Sequence, residues 1–333
     1  MTAVATLPRP RALTFGNLWL SGALLVVMAL YPFVFGKAMN FGVSTLIFAG
    51  LAMSWNILGG WAGQTSLGHA ALLGIGAYTM TLLATPERLP AFLPSPLAPW
   101  WGALIGMVLA VALAAVWGGL TFRLRGSYFT LSTIAVALVL RLVAINSEWT
   151  GSSEGLFMPE LPTLFGLDLF DRKVEYGLAF GFVLLTLVIT HLIRRSRLGY
   201  GLQAVREDED GARALGIDPT RMKLIAFMIS AALTALGGSI YAIYLQAFEP
   251  HTLLELPISV QIALMAIIGG RTSIQGPLIG ALLLSIFGEV FRTVFSNANL
   301  LIYGVLILVV TIYAPNGLMG LFRRGGLKLG VNR

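Results

Sequence analysis

The side chains best equipped for chemistry stand in one run, Glu207, Asp208, Glu209 and Asp210, with Arg206 before it and Arg213 shortly after. Clustered carboxylates can hold a divalent cation. On a helix, however, successive side chains point about 100° apart, so only Glu207 and Asp210 of the four share a face. One such pair makes a poor cage for calcium or magnesium, and no metal is expected. The run fits a structural purpose better: carboxylates in the first turn of a short helix complement its dipole, with Arg213 near its end. Gly216 is placed to stop that helix, Asp218 to cap the next, and Pro219 to occupy its first turn. A helix with its own start and stop is shaped for docking, with Ala212, Leu215 and Ile217 as small and apolar contacts inside a charged rim.

Other reactive groupings are missing from the sequence. His191 and His251 stand apart from any serine or carboxylate pattern, and the chain has no cysteine, which excludes disulfides and thiolate chemistry. The single Gly-Lys pair, Gly36 and Lys37, is followed by Ala38, so there is no phosphate-binding loop. No catalytic residue and no cofactor are expected on this chain. Polar groups inside apolar stretches are costly and therefore candidates to line a path. Gln64, Thr65, Ser66 and His69 follow Gly59, Gly60 and Gly63, which can interrupt a helix. Tyr128, Thr130, Ser132 and Thr133 open a later apolar stretch. From these, Gln64, Ser66, His69, Tyr128 and Thr130 form the candidate path group. The competing reading is a packed, hydrogen-bonded His69 and hydroxyls bonded back to their own helix.

The elements that must position these groups are apolar helices. The chain has 333 residues, 57% of them hydrophobic and 11% charged, with a mean hydropathy of +0.83. Soluble domains carry about a quarter charged residues, so this composition belongs in a bilayer. Apolar stretches fall near 16–36, 39–58, 62–84, 100–121, 127–145, 176–193, 223–246, 257–270, 274–293 and 299–314. They predict an all-α polytopic integral membrane bundle of about ten spans, a single domain over 1–333. The first stretch is too long for a secretory signal and reads as a retained span. Threaded from a cytoplasmic start, the chain puts 16 Lys and Arg residues on the cytoplasmic side and only Lys37, Arg88, Arg172, Lys173 and Arg292 outside. That asymmetry predicts cytoplasmic N- and C-termini. It also assigns the net charge of +7 to membrane orientation, with no nucleic acid as partner. The run from 194 to 223 is then the longest cytoplasmic connection. Outside, 85–99 and 146–175 are long enough to cap the bundle or to meet an external partner. Gly59 and Gly63, Gly276 and Gly280, and Gly68, Gly74 and Gly76 have spacings that let helices approach closely. The stretches ILGGWAGQTSLGHA and IIGGRTSIQGPLIGA are alike enough to be remnants of a duplication.

Three motifs carry a resemblance. REDEDGARALGIDPTRMKLIAF, GQTSLGHAALLGIGAYT and YAPNGLMGLF resemble LivM-type permeases of branched-chain amino-acid ABC importers, over about Phe41 to Phe322. The resemblance implies a subunit of the bacterial cytoplasmic (inner) membrane. It implies as partners a second, LivH-like permease, two cytoplasmic ATPase subunits and an external solute-binding protein. It also implies that Arg206, Glu207, Asp208, Glu209, Ala212, Arg213, Leu215 and Gly216 couple to the ATPase. The family pattern often has an apolar residue after REDE, where this chain has Asp210 and Gly211. Related permeases serve urea, short amides and aromatic acids as well as branched-chain amino acids. An ion-gradient-driven transporter is the rival reading, but it needs buried ionisable groups that are scarce here.

Overall fold

The computed structural model describes residues 15–88, 96–122, 128–159, 168–294 and 317–319. In chain order the elements are α1 (Phe15–Val34), α2 (Met39–Asn56), α3 (His69–Ala84), α4 (Pro99–Thr121), α5 (Tyr128–Asn146), β1 (Leu156–Phe157), α6 (Arg172–Arg195), α7 (Arg197–Glu207), α8 (Glu209–Ala214), α9 (Pro219–Leu245), β2 (Ala247–Phe248), α10 (Pro250–Leu253), α11 (Leu256–Gly269) and α12 (Gly276–Val294). A π-helical turn, Ile57–Trp61, extends α2. Nine of the ten expected apolar stretches coincide with helices, and the tenth, 299–314, lies outside the described residues. Six helices are long and apolar enough to cross a membrane, with α1, α3 and α12 as shorter apolar companions. The chain is a polytopic helical membrane protein. Its one departure from all-α among the described residues is the antiparallel pair β1–β2.

Helix α2 runs through the centre, buried along almost its whole length and packed by α6, α9, α11 and α12. It is apolar on every side, as a helix enclosed by others must be. Helices α4 and α5 lie at the periphery, with Val108, Val116 and Leu120 and with Leu131, Leu138 and Leu142 turned outward. In a bilayer, lipid is as apolar as leucine, so close packing of small residues drives association. At the α3–α9 crossing, a Cβ on Gly76 lies 1.8 Å from the Ala235 carbonyl oxygen, and one on Gly238 lies 2.0 Å from that of Leu73. The expected Gly276–Gly280 contact forms between α11 and α12, where a Cβ on Gly280 meets the Met265 oxygen at 1.9 Å.

The connections sort to two ends. At one, Arg88 donates to the carbonyls of Glu148 (2.6 Å) and Trp149 (2.9 Å), and the Trp149 indole donates back to the Arg88 carbonyl (2.8 Å). Arg141 reaches His251 and Glu255 at the same end (3.2 and 3.4 Å), where the described parts of the two long connections meet each other. At the other end lie α7, α8 and the turns that follow α2 and α11. Two expectations need correction. The third stretch becomes helical at His69 rather than at 62, because Gly63 takes a φ of +70° and turns the chain out of the helix. The 194–223 connection contains α7 as well as the short helix foreseen. Ser196 starts α7 by accepting from the Gly199 amide (3.4 Å).

Candidate functional site

Between α6 and α9 the chain folds as two helices with separate tasks. Helix α7 buries Leu202 and Val205, and Leu202 joins the apolar cluster that holds Ile57, Trp61 and Phe227. The chain then breaks at Asp208, which is extended (φ −158°, ψ 114°). Its carboxylate accepts from the Asp210 amide (3.1 Å) and so caps α8. Glu207 therefore closes α7, whereas the sequence alone puts it in the first turn of the short helix. The cap residue must leave helical dihedrals, and that separates the acidic run. Glu209 and Asp210 occupy the first turn of α8 and Arg213 the last.

Helix α8 ends as expected. Gly216, at φ +82°, lets its own amide reach the Arg213 carbonyl (3.0 Å) and the Ile217 amide reach that of Ala212 (3.0 Å). Asp218 then accepts from the amides of Thr220 (2.9 Å) and Arg221 (3.3 Å) to start α9. Glu209 pairs with Lys223, whose side chain is only 5% exposed, and this pair ties α8 to α9. Ala212 packs inward, while Arg213, Leu215 and Gly216 are exposed, Leu215 at 80%.

Residues 62–68 form the second feature, a non-helical passage between the end of α2 and the start of α3. Non-helical backbone at such depth must find partners within the protein. The Trp55 indole donates to the Ser66 carbonyl (2.7 Å), and the Thr130 hydroxyl to that of Thr65 (2.8 Å). The Leu67 amide donates to the Thr133 hydroxyl (3.0 Å), and the Ala70 amide to Ser259 (2.8 Å). His69, fully buried, stands between the hydroxyls of Ser66 (3.0 Å, at Nδ1) and Ser230 (2.9 Å, at Nε2). The Ser230 proton is already donated to the Ser54 carbonyl (2.7 Å), so the ring must carry its hydrogen on Nε2 and accept from Ser66 at Nδ1.

The two features touch. Arg206 at the end of α7 donates from Nη1 to the Gly60 carbonyl (3.4 Å) and pairs with Glu207. The similar stretches also meet: the Asn56 amide donates to the Ser273 carbonyl (3.3 Å), and a Cβ on Gly60 lies 2.6 Å from the Arg271 oxygen. Each stretch runs helix, glycine pair, turn, helix.

The profile of the family described as branched-chain amino acid transport system, permease component, matches residues 37–311, which contain both features. This chain belongs to that family. Among similar members, LivM of Salmonella typhimurium, a high-affinity branched-chain amino acid transport system permease protein, is 30% identical, with 90% of this chain and 74% of that one covered. LivM of Escherichia coli is 29% identical over the same shares. LivH of Escherichia coli, of the same system, is 24% identical, covering 82% of this chain and 91% of its own. No solved structure matches.

In this permease the sequence-derived path group is only partly one site. Gln64, Ser66, His69 and Thr130 come together on the 62–68 passage, with Gln64 half-buried. Tyr128 lies on the outward side of α5. Ser132 and Thr133 bond back to their own helix, as the competing reading held. Sequence reasoning missed Ser230, Ser259 and Trp55 as partners of the passage. Lone serines in apolar stretches were the available signal, since a hydroxyl in hydrocarbon must find an acceptor.

Proposed function

We propose that this permease is one membrane subunit of an ATP-driven importer, forming part of the path by which branched-chain amino acids cross the bacterial cytoplasmic membrane. Its partners are a second, LivH-like permease, two cytoplasmic ATPase subunits and an external solute-binding protein. The chain acts as one domain of ten spans with both termini in the cytoplasm, and the 194–223 segment receives the ATPase. The observation that carries this reading is α8. It is capped at both ends and tied to α9 through Glu209 and Lys223, yet it holds Leu215 out at 80% exposure beside Arg213. A large apolar side chain presented by a rigid, charge-rimmed turn is the form of an anchor for a partner's pocket. Family membership supports the importer class and the cargo. In the path, Gln64 has surface to offer a zwitterion, while Ser66, His69 and Thr130 shape the passage from behind; Tyr128, on the outward side of α5, stands apart from them.

Co-purification from the native membrane tests the reading, comparing wild type with Leu215→Asp and Arg213→Glu. Wild type is expected to bring down an ATPase and a second permease, and the variants to lose the ATPase while keeping the permease. A wild-type chain that purifies alone refutes the importer.

A further inference from the structure

The eight residues of the coupling motif do not all face outward: Ala212 packs inward, Glu209 pairs with Lys223 of α9, and Arg206 reaches the end of α2. Its Nη1 donates to the Gly60 carbonyl (3.4 Å), and its Cγ lies 3.0 Å from where a Cβ on Gly63 would stand. Gly60 belongs to the last turn of the π-extended α2, whose terminal carbonyls have no partner within the helix and favour a cation. Beyond it, the Leu58 carbonyl is taken by the Gln64 amide (3.1 Å). The turn at 60–63 is thus closed by its own backbone on one side and by Arg206 on the other. It leads directly into the 62–68 passage, which α5 holds through Thr130 and Thr133, and on to the start of α3, which α9 and α11 hold through Ser230 and Ser259.

We infer that Arg206 is a positioning residue that fastens the ATPase-facing segment to the interrupted end of α2, so that displacement of α7 is delivered to the 62–68 passage. The inference rests on the importer reading and adds a route to it. Helix α7 buries Val205 and places Leu202 in the same cluster as Ile57 and Trp61, so it moves against this turn as a packed body. Arg206 supplies what apolar packing lacks, a directional bond that resists sliding. Glu207, paired with the same guanidinium, holds the side chain in line with Gly60.

The test uses the complete transporter in proteoliposomes, with radiolabelled leucine, its binding protein and ATP, and reads leucine uptake per ATP hydrolysed. Arg206→Ala is expected to lower that ratio by roughly two- to thirtyfold, the range for residues that carry coupling between sites, while the ATPase still co-purifies. An introduced crosslink then serves as rescue. The chain has no cysteine, and the Cβ positions of 63 and 206 are 3.6 Å apart, within the roughly 3.5–4.5 Å that a disulfide spans. In Gly63→Cys/Arg206→Cys, measured against Gly63→Cys alone because residue 63 sits at φ +70°, oxidation is expected to restore the ratio and reduction to lower it as in Arg206→Ala. A ratio unchanged in Arg206→Ala overturns the inference, as does loss of the ATPase from that variant, which would make Arg206 a docking residue. Oxidation that inhibits further also overturns it, since the contact would then have to open during the cycle. A wild-type complex that hydrolyses ATP without moving leucine refutes the importer reading itself. That failure shows in the wild type, before any variant is compared.

Discussion

Replacing Gly76 by alanine tests the idea that α3 and α9 are held by backbone contact. The new methyl would stand 1.8 Å from the Ala235 carbonyl oxygen and 2.8 Å from its Cα, whereas ordinary contact begins at 3.4 Å. Both faces are backbone, so no rotamer change relieves the clash, and α9 must retreat by about 1.6 Å, the difference between 3.4 and 1.8 Å. That retreat stretches the Ser239 bond to the Gly76 carbonyl, now 3.1 Å, beyond hydrogen-bonding range. Overpacking of a close-packed site costs about 1–3 kcal/mol, and a bond between membrane helices adds about 0.6 kcal/mol. A loss of about 2–4 kcal/mol is therefore expected, read as equilibrium unfolding by SDS in mixed micelles. Gly181→Ala on α6 is the control, because a Cβ there meets nothing within 4 Å, and it should fall within about 0.5 kcal/mol of wild type. Gly238→Ala, 2.0 Å from the Leu73 oxygen, should behave like Gly76→Ala. The double variant should cost less than the sum, because one retreat accommodates both methyls. If Gly76→Ala unfolds like Gly181→Ala, the crossing is not close-packed and the argument fails.

Glu209→Gln should destabilise by about 1–3 kcal/mol in the same assay, because it strands the Lys223 ammonium, 5% exposed, without its carboxylate; adding Lys223→Met should recover most of that. Without recovery, the ion pair is not what ties α8 to α9. Ser230→Ala removes the acceptor of the His69 Nε2–H and the donor to the Ser54 carbonyl, for a loss of about 1–2 kcal/mol. An unchanged midpoint would mean that water or another group replaces Ser230. Asp218→Ala should cost about 1 kcal/mol and speed hydrogen exchange at the Thr220 and Arg221 amides, which mass spectrometry can read at that peptide.

Most of the helices were legible because hydropathy averages over a window about as long as a span, and the turn chemistry at Gly216, Asp218 and Pro219 was legible because each residue acts within four positions of itself. The start of α3 was not. A window as long as a span averages the polar run Gln64, Thr65 and Ser66 into the apolar residues on either side, so the glycines suggested an interruption without placing it; the left-handed backbone of Gly63 puts it at 62–68. Helix α7 was hidden by Gly199 and Gly201, which depress helix propensity, although Leu198, Leu202 and Val205 lie on one helical face after a serine cap. The acidic run read as a single cluster. In the fold its members part company: Glu207 turns to Arg206, Asp208 caps α8 and Glu209 turns to Lys223. Those partners are tertiary, and local pattern carries no trace of them. Ser230 and Ser259 could be noticed as lone serines in apolar stretches, but not matched to the groups they serve, which lie 161 and 189 positions away.

That separation bears on the order in which the protein is made. When residues 62–70 leave the ribosome, Thr130, Thr133, Ser230 and Ser259 have not yet been synthesised, so the Thr65 carbonyl, the Leu67 and Ala70 amides and the His69 ring reach the translocon without these partners. Bare backbone cannot rest in hydrocarbon. The passage and the start of α3 must therefore wait in water, or within the insertion machinery, until α11 is present, and chain order is not insertion order here. With Ser66→Cys as a reporter, nascent chains stalled before α9 should react with a water-soluble thiol reagent, and chains extended past α11 should not. Equal protection at both lengths would mean that the passage settles without its later partners.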